Sequence, residues 1–365
     1  MIYLFTFLAT LLLLKILQKQ HVPFIRNFMA LIAILIPALL AGLRDITIGT
    51  DTGGYPCVVY EWVSKMNSLQ AAFAWNGGMV ENLYVAIAYY CSHIVNDFHF
   101  FLTIISFITL SLLYWGGKVA KANITLLFFM FFFMHYNTSL NAQRQAMALS
   151  GCIVPMAYLF NGKKVMVVLT FLLAYCLHHS ALLFAGILTL YWMIDKKPSL
   201  FSQKKIFCLV VFTTILAMLS FNILLTYFGS MGIGEDKYIS RYGSSDQYGS
   251  NLPISVLALN VYNFIVFWLI SQRKSIVVFS IFGRYMTVIA VLLCFLGLIS
   301  TFAVRICDYF TFVNMLLLAM YLPKEKPLYR LSTVCFYVFY WIMTILVANL
   351  GDTYPYRSKL LESFL

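Results

Sequence analysis

Three arginines, Arg44, Arg144 and Arg305, stand where apolar runs end, and they suggest the first chemistry this sequence can offer. A guanidinium at a membrane edge costs at least a few kcal/mol without an anionic partner. Its planar fork matches phosphate oxygens in pairs, and its charge cannot be titrated away. Three on one side of a bilayer point to an anion site, although each singly also fits a snorkelling or salt-bridged role. For Arg305 the neutralising partner would be Asp308, three residues on. The segment GLRDITIGTDTGGY, residues 42–55, adds Gly49, Gly53 and Gly54, which let backbone approach a ligand. Asp51 offers a carboxylate there, for a ligand or for Arg44. Asn141, Arg144, Gln145 and Ala148 follow the spacing i, i+3, i+4, i+7, which predicts one polar helical face lining a cavity or gluing two helices together. His178, His179 and Ser180 interrupt the apolar stretch 165–194. Unwound backbone at membrane depth survives only when buried in protein or lining water. A histidine there can serve as a general base near neutral pH, as a phosphate hydrogen-bond donor, or as a buried structural group.

The elements that must position these groups follow from composition. Of 365 residues 62% are apolar and 10% charged, and mean hydropathy is +0.86, which excludes an aqueous fold. Runs of about 20 apolar residues, enough to cross a core of ~30 Å, recur from end to end. The expected fold is all-α, one integral membrane domain over 1–365 with about 12 membrane helices. These are expected at 2–18, 27–43, 98–115, 124–136, 145–160, 165–177, 181–194, 206–226, 254–271, 285–303, 306–321 and 331–348. Residues 1–18 carry no basic leader and no cleavage site, so they are expected to remain as the first helix. The net charge of +12 matters through its placement rather than through nucleic acid, for which no role is expected. Seventeen of the 25 basic residues fall in 15–26, 116–123, 161–164, 195–205, 272–284 and 322–330, which assigns those stretches to the cytoplasm. The other eight, Arg44, Lys65, Arg144, Lys237, Arg241, Arg305, Arg357 and Lys359, fall outside or at the outer edge. So do the long loops 44–81 and 227–253, and 82–96 must then be a re-entrant or interfacial helix. Eight cysteines show no CxxC or metal-ligand spacing, and those in apolar runs, such as Cys208 and Cys294, read as small core residues.

There is no DxD, Walker, HExxH or GxSxG sequence, so no metal, cofactor or nucleotide is expected and a substrate already activated on a lipid is the economical reading. The ordered set GLR at 42–44, GTDT at 49–52 with Tyr55, Glu81 with Tyr84, NxxRQ at 141–145, HHSAL at 178–182 and a late Arg305 resembles the O-antigen and exopolysaccharide polymerase family, in particular its EpsG-like branch of Wzy-type polymerases. The likeness covers about residues 1–320. It implies a bacterial inner-membrane protein with an outward-facing site and a GT-C-like fold. Such enzymes are taken to move a growing glycan from undecaprenyl pyrophosphate to an incoming lipid-linked repeat unit, with inversion at the anomeric carbon. The resemblance places Arg44, Arg144 and Arg305 on the pyrophosphate and makes His178 the base, because His179 fills a variable family position. Asp51 and Glu81 stand behind it as alternative bases, and Tyr55, Asn141 and Gln145 as further substrate contacts. Arg241 is a further expected substrate contact, in the stretch 227–253 that matches no family motif and is expected to reflect the particular sugar. A chain-length regulator and a flippase are the expected protein partners. An O-antigen ligase, a lipid-linked oligosaccharide flippase or other transporter, and a membrane acyltransferase are the rival readings.

Overall fold

A backbone in hydrocarbon must satisfy its own polar groups, and the apolar runs of this chain do so as helices. The computed structural model describes residues 1–221, 252–271, 277–300 and 303–359, with 223 and 227. Among them the regular structure is entirely helical. In chain order come α1 (Ile2–Leu17), α2 (Pro23–Gly42), α3 (Tyr55–Val63), α4 (Leu69–Asn76), α5 (Asn82–Ile94), α6 (Phe98–Val119), α7 (Ile124–Met134), α8 (Tyr136–Asn141), α9 (Gln143–Phe160) and α10 (Lys164–Leu177). A 3-10 turn (His179–Leu183) leads to α11 (Phe184–Lys196), α12 (Pro198–Phe201) and α13 (Lys204–Leu219). Then follow α14 (Ile254–Ser271), α15 (Val277–Leu293), α16 (Arg305–Tyr321) and α17 (Pro327–Trp341), which continues into a π-helical turn, Ile342–Val347. Six spans are long and apolar enough to cross a membrane: Pro23–Gly42, Phe98–Val119, Ile254–Ser271, Val278–Leu298, Arg305–Lys324 and Pro327–Val347. This is a multi-pass membrane protein.

The chain divides into two compact units, Met1–Leu182 with Arg330–Leu365, and Leu183–Tyr329. In the first, α9 packs against both α6 and α10, and α2 packs against α1 and α6. Close approach explains why α6 carries glycine in its interior: a Cβ at Gly116 would meet Ile153 Cγ2 of α9 at 2.5 Å. Helix α9 is buried from Gln143 to Ala157 except at Arg144, so Arg144 alone in that stretch keeps part of its surface open. In the second unit α15 packs against α11, α13, α14 and α16.

Several elements differ from expectation. The stretch 44–81 is not a plain loop, since α3 and α4 lie within it. Ser68 caps α4 by accepting from the Ala71 N–H at 3.2 Å, and Gly77, with φ of 49°, ends it in the left-handed region. Helix α5 occupies the ambiguous stretch 82–96; its 13 residues rise about 20 Å, less than a bilayer core. Helix α15 begins at Val277, eight residues before the expected start at 285, because Arg284 does not end the apolar run. Its Nε donates to Ser271 Oγ at 3.1 Å and its guanidinium lies 5.1 Å from the Trp268 ring centre, so the charge is accommodated within the helix pair. The expected link 137–144 between the helices 124–136 and 145–160 carries a short helix of its own, α8, bounded by breaks at His135 and at Ala142, whose φ of −82° and ψ of 55° are not helical. Asn141 therefore lies on α8 and Arg144 and Gln145 on α9, and the single polar stripe is corrected to two short polar ends meeting at a break. Cys208 is exposed rather than a core residue. Arg241 and residues 228–251 lie outside the described residues.

Candidate active site

The break between α8 and α9 releases carbonyls that need donors, and Arg44 supplies them. It is 1% exposed and donates to Ala41 O in the last turn of α2, to Leu140 O at 3.0 Å in the last turn of α8, and to Thr52 Oγ1 at 3.2 Å. Thr52 Oγ1 donates in turn to Ile48 O at 2.9 Å, so the GTDT loop is tied to both helix ends. Asp51, the acid of the GTDT loop, is not the partner of Arg44. Its carboxylate is partly exposed and has no ion pair among the described residues.

The chain's C-terminal segment completes this scaffold. The Gly49 N–H donates to Asp352 O at 3.0 Å and Asn141 Nδ2 donates to Gly351 O at 3.0 Å. Asn137 Nδ2 donates to Thr353 Oγ1 at 3.0 Å, and the Asp45 N–H to Arg357 O at 2.9 Å. Nothing in the motif pattern pointed to residues 349–358. The signals that could have found them are Gly351 and the Asn349–Gly351 and Asp352–Thr353 turn residues after the last apolar run.

Glu81 stands at the N-cap of α5, held there by a closed loop. Buried Asn76 accepts from the Val80 N–H at 3.1 Å and donates to Val80 O at 2.8 Å and Asn82 Oδ1 at 3.2 Å. The Glu81 carboxylate makes no cap bond to its own helix and serves three other groups instead. Oε2 accepts from Arg144 Nη1 at 2.5 Å. Oε1 lies 2.5 Å from His178 Nδ1 and accepts from the His179 backbone N–H at 3.2 Å. Burial opposes the charge of Glu81, but the His178 hydrogen bond and the charge of Arg144 prevail and hold the carboxyl well below its usual range. Of the roles open to Arg144 the salt-bridged one is present, and its contact joins residues 63 apart in the chain, which no local spacing reveals.

His178 ends α10 in an extended conformation, φ −162° and ψ 127°, as the break at HHS requires. With Nδ1–H given to Glu81, Nε2 carries the lone pair, and it has no hydrogen-bond partner among the described residues. The His179 ring points to a different neighbour, stacking on Tyr175 at 5.1 Å between centres. The guanidinium of Arg144 lies 4.6 Å from the centre of the Tyr55 ring, and the Tyr55 hydroxyl donates to Asn141 O at 3.5 Å. Tyr84, fully buried, donates to Gln143 Oε1 at 3.3 Å. Gln145 is buried within α9. A cavity of about 530 Å³ opens beside Glu81, lined by His179, Tyr175, Asn82, Phe73 and Leu173 among others.

The first unit thus brings together Tyr55, Glu81, Arg144 and His178, with Arg44, Asn141 and the GTDT loop as their supports. Arg305 and Asp308 belong to the second unit, in the first turn of α16. No curated protein and no solved structure matches the chain. The EpsG family model does, over residues 27–358, so the match runs past residue 320 and takes in the C-terminal segment that ties down the GTDT loop. Membership at that coverage points to polysaccharide polymerase-like function, and the chain belongs to the EpsG family.

Proposed function

We propose that the protein is a glycosyltransferase of the polymerase type, which lengthens a polysaccharide by moving the growing glycan from undecaprenyl pyrophosphate to the end sugar of an incoming lipid-linked unit. The observation that carries this reading is the bridge of Glu81 between Arg144 and His178. It pairs a fixed cation with an imidazole whose Nε2 is available. In this reading an acceptor hydroxyl gives its proton to His178 Nε2 and its oxygen attacks the anomeric carbon. The bond to the pyrophosphate oxygen breaks as the new bond forms, which inverts the centre. Glu81 keeps the imidazole in the productive tautomer and stabilises its charge, as a carboxylate does behind any histidine base. The positive charge of Arg144 meets the charge that develops on the leaving pyrophosphate, so arginine does what a metal would do elsewhere. Tyr55 holds the Arg144 plane, and Arg44 acts by fixing the GTDT loop and Asp51. Arg305, Arg241, Asn141 and Gln145 are assigned to the rest of the substrate.

The reading includes a single integral membrane domain of about 12 helices with a GT-C-like arrangement, in a bacterial inner membrane, its site and the stretches 44–81 and 227–253 facing outward. A flippase would deliver the substrate and a chain-length regulator would act on the product. The test is single-turnover extension of a synthetic lipid-linked repeat unit by the purified protein, with no other acceptor present. Lengthening of that unit alone separates a polymerase from a ligase. His178→Ala should slow transfer ~100-fold or more while donor affinity largely persists. His179→Ala should cost far less, because only its backbone N–H touches Glu81. If His178→Ala instead loses binding and rate equally, the imidazole is a phosphate ligand and Asp51 becomes the leading base.

A further inference from the structure

The second unit holds two cysteines that no motif singles out. Cys294 opens the 3-10 turn Cys294–Leu298 after α15, and Cys307 lies in the first turn of α16. Both are 0% exposed, and their sulfurs are 3.7 Å apart, in van der Waals contact. The surroundings hold the pair in register. Both thiols donate to the same carbonyl, Ala290 O, at 3.2 Å and 3.1 Å. Asn260 Nδ2 of α14 faces both sulfurs, at 3.7 Å from Cys294 and 3.4 Å from Cys307. That amide is itself oriented, because its Oδ1 accepts from Thr311 Oγ1 at 2.9 Å and its Nδ2 donates to Val256 O at 3.0 Å. A shared acceptor and a fixed donor thus keep the two thiols side by side, at 3.7 Å between sulfurs against the ~2.05 Å of a formed bond. The six remaining cysteines form no such contact among the described residues.

We propose that Cys294 and Cys307 form a disulfide in the mature protein. The pair sits at the end of the α15–α16 hairpin that carries Arg305, which the proposed orientation places outward, and the inference rests on that orientation. On that side the segment folds against an oxidising compartment, where the thiols can be oxidised before packing buries them. The step is thiol–disulfide exchange with a protein disulfide of that compartment: two S–H bonds and the oxidant's S–S bond break, a new S–S bond forms between Cys294 and Cys307, and the two protons and two electrons pass to the oxidant, which leaves as its dithiol. The bond pins the start of α16, two residues from Arg305, to the end of α15.

The test begins with membranes quenched in acid and the full chain denatured with N-ethylmaleimide present and no reductant. Peptide mass spectrometry should then recover residues 294 and 307 as one linked species, lighter by two hydrogens than the dithiol and absent from the Cys294→Ser/Cys307→Ser protein. Thermal melting in detergent gives an independent readout. Reductant should lower the Tm of the native chain by several degrees and leave that of the double variant unchanged. Recovery of both positions as alkylated thiols overturns the proposal. In that case oxidised glutathione added to the purified protein locates the fault. If it links the pair, the outward placement has failed. If it does not, the juxtaposition of the sulfurs has.

Discussion

The two compact units bury different kinds of polar group. Among the described residues the first buries Arg44, Glu81, His135 and His178, whereas the buried polar groups of the second are neutral: Asn260, Asn263, Ser271, Thr287, Ser300, Thr311 and Asn314. The cavities follow the same division. That of the first unit has Glu81 and His179 in its wall. That of the second, about 410 Å³, is bounded mainly by apolar side chains such as Leu183, Leu190, Leu293 and Phe310. Burying a charge is costly unless it is paired, so a charged cluster persists only where partners are supplied from several elements. The first unit supplies them by breaking its helices, at Ala142 and at His178, so that loop and helix-end groups reach the buried acid. The second hydrogen-bonds buried neutral groups such as Asn260 and Thr311 within and between its helices. Proton transfer and stabilisation of a leaving anion require titratable and charged groups, and it is the first unit that buries them.

The largest effect should come from removing the group that joins the charged cluster. Glu81→Gln should lower extension rate ~1000-fold, since His178 loses its orienting acceptor and Arg144 its counter-charge. Stability should fall by on the order of 3 kcal/mol, because Arg144 is left largely buried and unneutralised. The pH dependence follows from the depressed folded value of the Glu81 carboxyl. Its stabilisation is complete above the ordinary value of 4.5 and is lost as pH falls through the lower folded value. The Tm gap between native protein and Glu81→Gln should therefore stay constant from about pH 8 to pH 5 and narrow only at more acid pH. A gap that already closes near neutrality would mean that Glu81 is not held as a carboxylate.

A smaller effect is expected from the scaffold of that cluster. Gly351 has φ of 76°, and a Cβ there would collide with Asn141 Nδ2. Gly351→Ala should slow extension ~10-fold through the displaced α8 end and cost ~1 kcal/mol of strain. Gly162, with φ of 69° and nothing within 4 Å of a Cβ, provides the comparison. Gly162→Ala should lose similar stability and keep full rate. Equal rates in the two variants would remove the C-terminal segment from any role in the site.

The smallest effect belongs to the second unit. Asn314 is 0% exposed and neither of its amide atoms has a hydrogen-bond partner among the described residues. Replacing it with Leu, of similar volume, removes an unsatisfied polar group. Stability in detergent should be unchanged or rise by ~1 kcal/mol, and extension should be unaffected. An inactive but folded Asn314→Leu protein would break the contrast, since a neutral buried amide would then be serving the reaction.

Membrane class, most helices and several of the residues that meet in the first unit were legible in the sequence for one reason: the relevant signals are local. An apolar run of sufficient length dictates a helix wherever it occurs, because hydrocarbon leaves the backbone no other partner. The interruption at HHS placed His178 at a helix end, and the structure has it there. The link 137–144 between the expected helices 124–136 and 145–160 was legible as a break, but the six-residue helix α8 set between His135 and Ala142 was not, because so short a helix is held only by contacts from other elements.

Which polar group meets which was decided by tertiary structure alone. Arg44, Arg144 and Arg305 looked equivalent as guanidiniums at the ends of apolar runs. Packing gave Arg44 to helix-end carbonyls and Arg144 to Glu81, and placed Arg305 in the other unit. The pairings that define the site span 63 residues for Glu81 and Arg144, 97 for Glu81 and His178, and 210 for Asn141 and Gly351. Hydrophobicity and helical periodicity are properties of a few neighbouring residues and are written into any short stretch of chain. A buried ion pair depends on distance and dielectric in three dimensions, so its partners are settled only once the helices have packed.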